Sequence, residues 1–291
     1  MGLGPPAGAA DRAGARDRAP ALAARRPGDL QPGRRLRPRG GAVSGLADIA
    51  KIARERRHTL LFLARLRRVP PVFLDTEIDM TRVLEHRETG RRYSIVTYVL
   101  YAAGRALAKH PEANAAIEGG LSPKVARYAP VNGKLTLDRT LNGHRVVLSG
   151  LVKDLDRIDL DAVQDRVEAL RDGDPHTLPD FAGARLLHRL PAAVGWAAYE
   201  LAARALDKRP DTTGTFSVTS LGHRPVDGFH SLGGTTVTLG VGRILDRPVV
   251  RDGAVAVAPV MRLNLSFDHR VIDGAEAADL LADVKDGLEN F

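Results

Sequence analysis

Apolar residues recur along this chain in two rhythms, a helical one in the middle and strict alternation toward the C-terminus. Across residues 94–109, Ile95, Val96, Val99, Leu100, Ala103, Ala106 and Leu107 keep the 3.6-residue period of a helix with one buried face, and His110-Pro111 ends it. A basic helix is expected over residues 46–68, running into Pro70-Pro71, then a strand over 72–78 and a short helix over 81–88. Residues 134–137 and 145–148 are short β runs around Asn142-Gly143, the signal of a hairpin. Asp161 opens a helix with Val163, Val167 and Leu170 on one face and Gly173 as its terminator. Residues 181–207 predict two short apolar helices broken at Pro191, read as a core or subunit-contact pair, or alternatively as a surface that meets lipid or a long acyl chain.

Beyond residue 214 the period becomes two. Phe216 and Val218 alternate with Ser217 and Thr219; Val237, Leu239 and Val241 with Thr236, Thr238 and Gly240; and Leu263, Leu265 and Phe267 with Asn264 and Ser266. Residues 248–251 and 254–257 flank a second hairpin turn, Asp252-Gly253, and a last helix is expected over about 275–288. Helix and strand mix without a regular βαβ repeat. The expected class is therefore α/β, a mixed-sheet two-layer sandwich.

Composition narrows the function. No apolar run is free of charges for long enough to span a bilayer, and the chain has no cysteine, so disulfides, thiolate metal sites and a cysteine nucleophile are excluded. Aromatics at 4% argue against a stacking platform for single-stranded nucleic acid. The net charge of +8 changes meaning once it is located: residues 1–40 hold nine arginines against three aspartates, a net +6. The body is near neutral, and no nucleic-acid partner follows from the total. Residues 1–44, built of Arg, Gly, Pro and Ala without apolar periodicity, are expected to be a disordered tail, or else a weak electrostatic tether to an acidic partner or membrane surface. They lack the apolar stretch of a secretory signal, which leaves a cytoplasmic location as the expectation.

The candidate chemistry lies at residues 263–278, LNLSFDHRVIDGAEAA. A strand delivers Asp268-His269 to its end, and Asp273-Gly274 opens a helix four residues on. A histidine held there can take and return a proton near neutrality. Taken alone, the His-x-x-x-Asp-Gly spacing also suits a satisfied turn histidine. A near-copy, His223 to Gly228, is read as a turn-forming loop or as substrate contacts near the same cleft. The other histidines lack metal-ligand spacing, so no metal is expected. Gly240-x-Gly242 lacks the third glycine and the helix of a dinucleotide site.

The run Asp268-His269-Arg270-Val271-Ile272-Asp273-Gly274-Ala275 resembles the signature of the acyltransferase core of 2-oxoacid dehydrogenase complexes, whose fold is that of chloramphenicol acetyltransferase. Residues 214–222 (GTFSVTSLG), 248–267, 69–80 and 94–117 are similar to other parts of that family, in its order and over about two thirds of the chain. The resemblance implies a coenzyme A-dependent acyltransferase, moving an acyl group between coenzyme A, as a substrate, and a dihydrolipoyl-type thiol or another nucleophile. It implies His269 as general base, the Thr219 hydroxyl as oxyanion donor, Asp273 as the residue holding the loop geometry, and a homotrimer with His and hydroxyl contributed across a subunit interface. Coenzyme A-binding residues are not assigned.

Departures from the pattern shape the rest of the expectation. No Asp-Lys-Ala swinging-arm site occurs, so no lipoyl group is expected on this chain and a lipoyl or acyl carrier protein would act in trans. Ile-Pro-His becomes Val69-Pro70-Pro71, and residues 172–213 stand where a short link is usual. The expected layout is thus a free-standing catalytic domain over 45–291 with an apolar helical insertion at about 172–213. Membrane contact is not expected. Two alternatives remain at this point: a non-catalytic trimeric scaffold or binding protein, and a carrier-protein-dependent condensation-type enzyme.

Overall fold

The alternating segments assemble into one six-stranded mixed sheet, and the segments with helical period cover its apolar face. The computed structural model describes residues 50–291. The tail expected at residues 1–44 and the first part of the basic helix lie outside them. In chain order the elements are α1 (Arg57–Leu66), β1 (Pro71–Asp79), α2 (Thr81–Glu88), α3 (Ile95–Lys109), β2 (Ala115–Glu118), β3 (Lys124–Arg127), β4 (Gly133–Leu141), β5 (His144–Val152), α4 (Leu160–Asp172), α5 (Ala182–Arg189), α6 (Ala192–Arg204), α7 (Arg209–Thr212), β6 (Phe216–Ser220), β7 (Val237–Arg251), β8 (Ala254–Asp268) and α8 (Gly274–Glu289). The strand order is β1-β8-β7-β6-β4-β5. β6 runs parallel to both its neighbours, and the other pairs are antiparallel.

Local chemistry explains the boundaries. Ser94 Oγ accepts from the Thr97 N–H at 3.2 Å and starts α3, and Asp159 Oδ1 accepts from the Ala162 N–H at 2.8 Å and starts α4. Both hairpin turns place two residues in the left-handed region, Asn142 (φ 51°) with Gly143 (φ 78°) and Asp252 (φ 53°) with Gly253 (φ 79°), as a tight two-residue turn requires.

Three expectations change. The basic helix begins only at Arg57, after a single 3-10 turn at Arg54–Arg56. The short runs at 237–241 and 248–251 are one strand, as are those at 254–257 and 263–267. A register shift between Val241 and Ile244 resets the alternation midway, which is why the pattern reads as two pieces. The β2–β3 hairpin was not foreseen, because its four-residue strands are too short to display a period.

The two faces of the sheet differ. Leu135, Phe216, Val218, Leu239, Leu265 and Phe267 face α3, α4 and α8 and form the core with Leu100, Leu107, Leu170, Leu281 and Val284. Each such side chain contributes roughly 1.5–3 kcal/mol by leaving water. The opposite face carries Lys134, Thr136, Ser217, Thr219, Thr238 and Asn264, partly covered by α1 and by the segment 221–236. Gly240 is required there. A Cβ at that position would collide with the Phe229 carbonyl, which comes down onto the sheet between Thr219 and Asn264.

The helix pair expected around Pro191 is present as α5 and α6, broken at Leu190-Pro191, where the residue before proline is extended. Arg57 donates to the Leu190 carbonyl at 2.7 Å, and Arg65 bridges Glu118 and Glu200, tying the pair to α1 and β2. Only Gly195 and Glu200 of α6 are buried, while Val194, Trp196 and Leu201 are exposed. Within one chain α6 is therefore not a core helix.

Candidate active site

β8, an interior strand, carries the candidate histidine just past its C-terminal end. The Asp268 N–H donates to the Thr236 carbonyl at 2.9 Å, and the His269 N–H to the Pro70 carbonyl at 3.2 Å, so the backbone is pinned on both sides just before it turns. Val271 N–H returns to the Asp268 carbonyl at 3.0 Å and closes the turn. The buried Asp268 grips Arg270 through two bonds, Nε to Oδ1 at 2.8 Å and Nη2 to Oδ2 at 2.6 Å. That fork raises the Arg270 pKa further. The loop is thus braced from Asp268, whereas the sequence reading assigned loop geometry to Asp273.

Asp273 does something narrower. Its Oδ1 lies 3.3 Å from His269 Nδ1, and its carboxylate is otherwise in solvent, 88% exposed. It precedes the first turn of α8 without capping it through its side chain. The His269 ring sits 5.5 Å from the Phe267 ring, and its side chain is 43% exposed. With Nδ1 directed at a carboxylate, Nε2 is the nitrogen left to exchange a proton.

Thr219 lies elsewhere. It is partly buried on β6, level with Gly240 on β7 and with Asn264 on β8. His269 follows Asn264 by five residues, two strands across. At ~3.3 Å per residue and ~4.8 Å between strands, the two backbones are about 19 Å apart. No pair of rotamers brings both side chains onto one reacting carbon. The structure therefore brings His269 and Asp273 together and does not bring Thr219 to them within one chain.

The near-copy motif is a clasped turn. Asp227 accepts from Arg243 Nε at 2.6 Å and from Arg247 Nη2 at 3.2 Å, while Arg224 N–H closes on the Leu221 carbonyl at 2.8 Å. His223 is exposed. In the same segment the Phe229 N–H donates to Asn264 Oδ1 at 3.0 Å, and the His230 ring lies tilted against Phe73 with ring centres 5.0 Å apart. Among the described residues no group of three or more His, Asp or Glu is placed to hold a metal ion, and no helix is long and apolar enough to cross a membrane.

Two residues of this region had no role in the sequence reading. Asp268 was visible in the motif, but its grip on Arg270 was not. Lys134 is buried on the same sheet face as Thr219, and its only signal was a charge inside a short β run.

Comparison with known proteins bears on this geometry. The family of 2-oxoacid dehydrogenases acyltransferase (catalytic domain) matches residues 197–291, the stretch that holds Thr219 on β6, the β7–β8 hairpin and the His269 turn. That stretch is similar to this acyltransferase family. The dihydrolipoyllysine-residue acetyltransferase component of the pyruvate dehydrogenase complex of Bacillus subtilis (strain 168) is 26% identical over 224 residues, 74% of this chain and 44% of that one. The corresponding component of Staphylococcus aureus (strain Mu50 / ATCC 700699) is 28% identical over 234 residues, 76% of this chain and 46% of that one. The chain thus spans less than half the length of these curated relatives. A probable dihydrolipoamide acetyltransferase from Listeria monocytogenes 4b F2365 has the same fold, with a TM-score of 0.62 at 20% identity over 84% of this chain and 95% of that one. So does the cubic core of a pyruvate dehydrogenase multienzyme complex, also at 0.62 and 20%, over 85% of this chain and 93% of that one. The α/β mixed-sheet class expected from the family resemblance is the fold observed.

Proposed function

We propose that this chain transfers an acyl group between coenzyme A and a thiol acceptor of the dihydrolipoyl type, with His269 as general base and Thr219 as oxyanion donor. The observation that carries the reading is the His269 turn. It is a histidine pinned at a strand end, with Nδ1 at a carboxylate and Nε2 open, in a stretch that matches the acyltransferase family.

In the proposed step His269 Nε2 takes the proton of the attacking thiol as its sulfur bonds to the thioester carbonyl carbon. The carbonyl π electrons move to oxygen, and the Thr219 hydroxyl donates to that oxyanion. Collapse of the tetrahedral intermediate re-forms the carbonyl and breaks the bond to the leaving sulfur, which recovers the proton from the imidazolium. Asp273 keeps the ring in the tautomer with hydrogen on Nδ1. Coenzyme A and the acceptor are substrates, and the acceptor thiol is proposed to arrive on a lipoyl or acyl carrier protein in trans.

The separation of about 19 Å between His269 and Thr219 has a consequence for assembly. The reaction needs both groups at one carbon, so the site is proposed to form between copies, His269 from one and Thr219 from the next. A closed ring of such head-to-tail contacts, a trimer, is the proposed state. Residues 45–291 are proposed as the catalytic domain, with the 172–213 segment as an insertion on its α1 side, and the protein as cytoplasmic.

The test is acyl transfer followed by mass spectrometry over a panel of acyl-CoAs, with dihydrolipoamide as acceptor. H269A is expected to lose at least about 100-fold in kcat with little change in KM, and T219A a similar factor. Wild type and H269A equally inert across the panel would refute the reading.

A further inference from the structure

One row of the polar sheet face is sealed from solvent. Lys134, Ser217, Thr238 and Ser266 stand in register across β4, β6, β7 and β8, and all four are buried. The segment 231–236 crosses above them. Gly233 N–H donates to Thr238 Oγ1 at 2.8 Å, Ser217 Oγ and Thr235 Oγ1 share a bond of 2.8 Å, and Lys134 Nζ donates to the Gly233 carbonyl. α1 closes the row with Phe62, whose ring centre is 5.3 Å from Nζ.

Lys134 is an odd residue for this place. It forms no ion pair with any described carboxylate; a carbonyl and a ring face are its company. The elements around it bring Phe62 from α1, Leu151 from β5, Ser217 from β6 and Gly233 from the crossing segment, and no charged or titratable group among the described residues shifts its ionisation. Burial alone pushes its pKa down to about 8. An apolar residue of equal length would serve packing as well without the loss of hydration.

Thr219 lies close to this lysine on the same sheet face. Lys134 pairs with Ser217 and Thr136 with Thr219, so Lys134 and Thr219 are diagonal neighbours on one face, about 8 Å apart at the backbone. We propose that Lys134 is a positioning residue for acyl transfer at Thr219: its buried charge stabilises the oxyanion through space, and its bond to Gly233 holds the segment that walls that site. The proposal rests on the acyltransferase reading. A unit charge roughly 9 Å from the oxyanion, at an effective dielectric of about 20, corresponds to a rate factor of roughly 20.

The experiment compares wild type, K134M and K134R in the coenzyme A–dihydrolipoamide assay from pH 6.5 to 9.5, with thermal melts of each. Lysine acts while protonated, so wild-type kcat is expected to fall as pH rises through about 8. K134M is expected to fold with an equal or higher Tm, to lose roughly 20-fold in kcat at neutral pH with KM unchanged, and to lack that alkaline fall. K134R keeps its charge and is expected to recover much of the rate with the fall displaced upward. Should K134M not fold, the K134R profile against wild type carries the same decision. Wild-type kcat in K134M, an alkaline fall that persists in K134M, or one that stays at the wild-type position in K134R overturns the proposal. So does a loss of Tm and kcat together at an unchanged pH profile, which marks a merely structural lysine. An inert wild type overturns it together with the acyltransferase reading, whereas an active wild type with an active K134M overturns it alone.

Discussion

His269 and its two aspartates divide the work unequally. Asp268 is buried and holds Arg270 through both guanidinium bonds, whereas Asp273 touches one ring nitrogen from solvent. D268N is therefore expected to lower stability by about 2 kcal/mol or more, read as a fall in Tm, because it breaks a fork and leaves Arg270 short of a partner. D273N is expected to leave Tm within a degree or two and to lower kcat only several-fold, since an exposed carboxylate at 3.3 Å orients the ring without shielding from water. Equal losses in the two variants would refute this division. The motif made His269, Asp273 and Thr219 legible as candidates because each stands in a recognisable run. Lys134 was not legible, because its burial comes from Gly233, 99 positions away, and from Phe62 on α1.

Elements with a clear period were the readable ones. α3 shows its stripe over four turns, and α2 has the bounds its short amphipathic run suggested. β7 and β8 were split because one bulge moves the alternation to the other face, and β2 with β3 carry too few residues to alternate. The junction of α1 with α5 was also hidden, because it is made by two histidines 130 positions apart. His58 Nε2 lies 2.8 Å from the Val147 carbonyl, which can only accept. Nε2 therefore carries the hydrogen, and His58 Nδ1 accepts from His188 Nε2 at 2.8 Å. Burial lowers the pKa of both rings, so the folded state favours their neutral forms. Their contribution to stability is full above the unfolded value of about 6.5 and is lost as pH falls below it toward the lowered folded values. Hydrogen exchange in Arg57–Leu66 and Ala182–Arg189 is expected to quicken at pH 5.5 relative to pH 7.5 after correction for intrinsic rates, and H58Q is expected to flatten that difference.

At the scale of the molecule, the proposed site is shared between chains, and that has a genetic form. H269A and T219A each lack one half of every site, but co-expressed they assemble mixed rings in which about a quarter of the contacts pair an intact histidine with an intact threonine. About a quarter of wild-type activity is expected from the co-expressed pair and almost none from either alone. Background activity in the mixture would show that both groups act from one chain. The sheet behind this site carries a constraint of its own in its strand order. β1 lies at the sheet edge against β8, with Pro71 opposite Asp268, almost 200 positions later. During synthesis at roughly 5–20 residues per second, β1 emerges about 10–40 s before the strand that covers it. Through that interval its apolar face, Val72, Leu74 and Ile78, and one hydrogen-bonding edge stay open. The turn that carries His269 directly follows β8, the strand that shuts the sheet. Premature termination before β8 would therefore release a sticky open sheet rather than a smaller enzyme, a product that chaperones or proteases must remove.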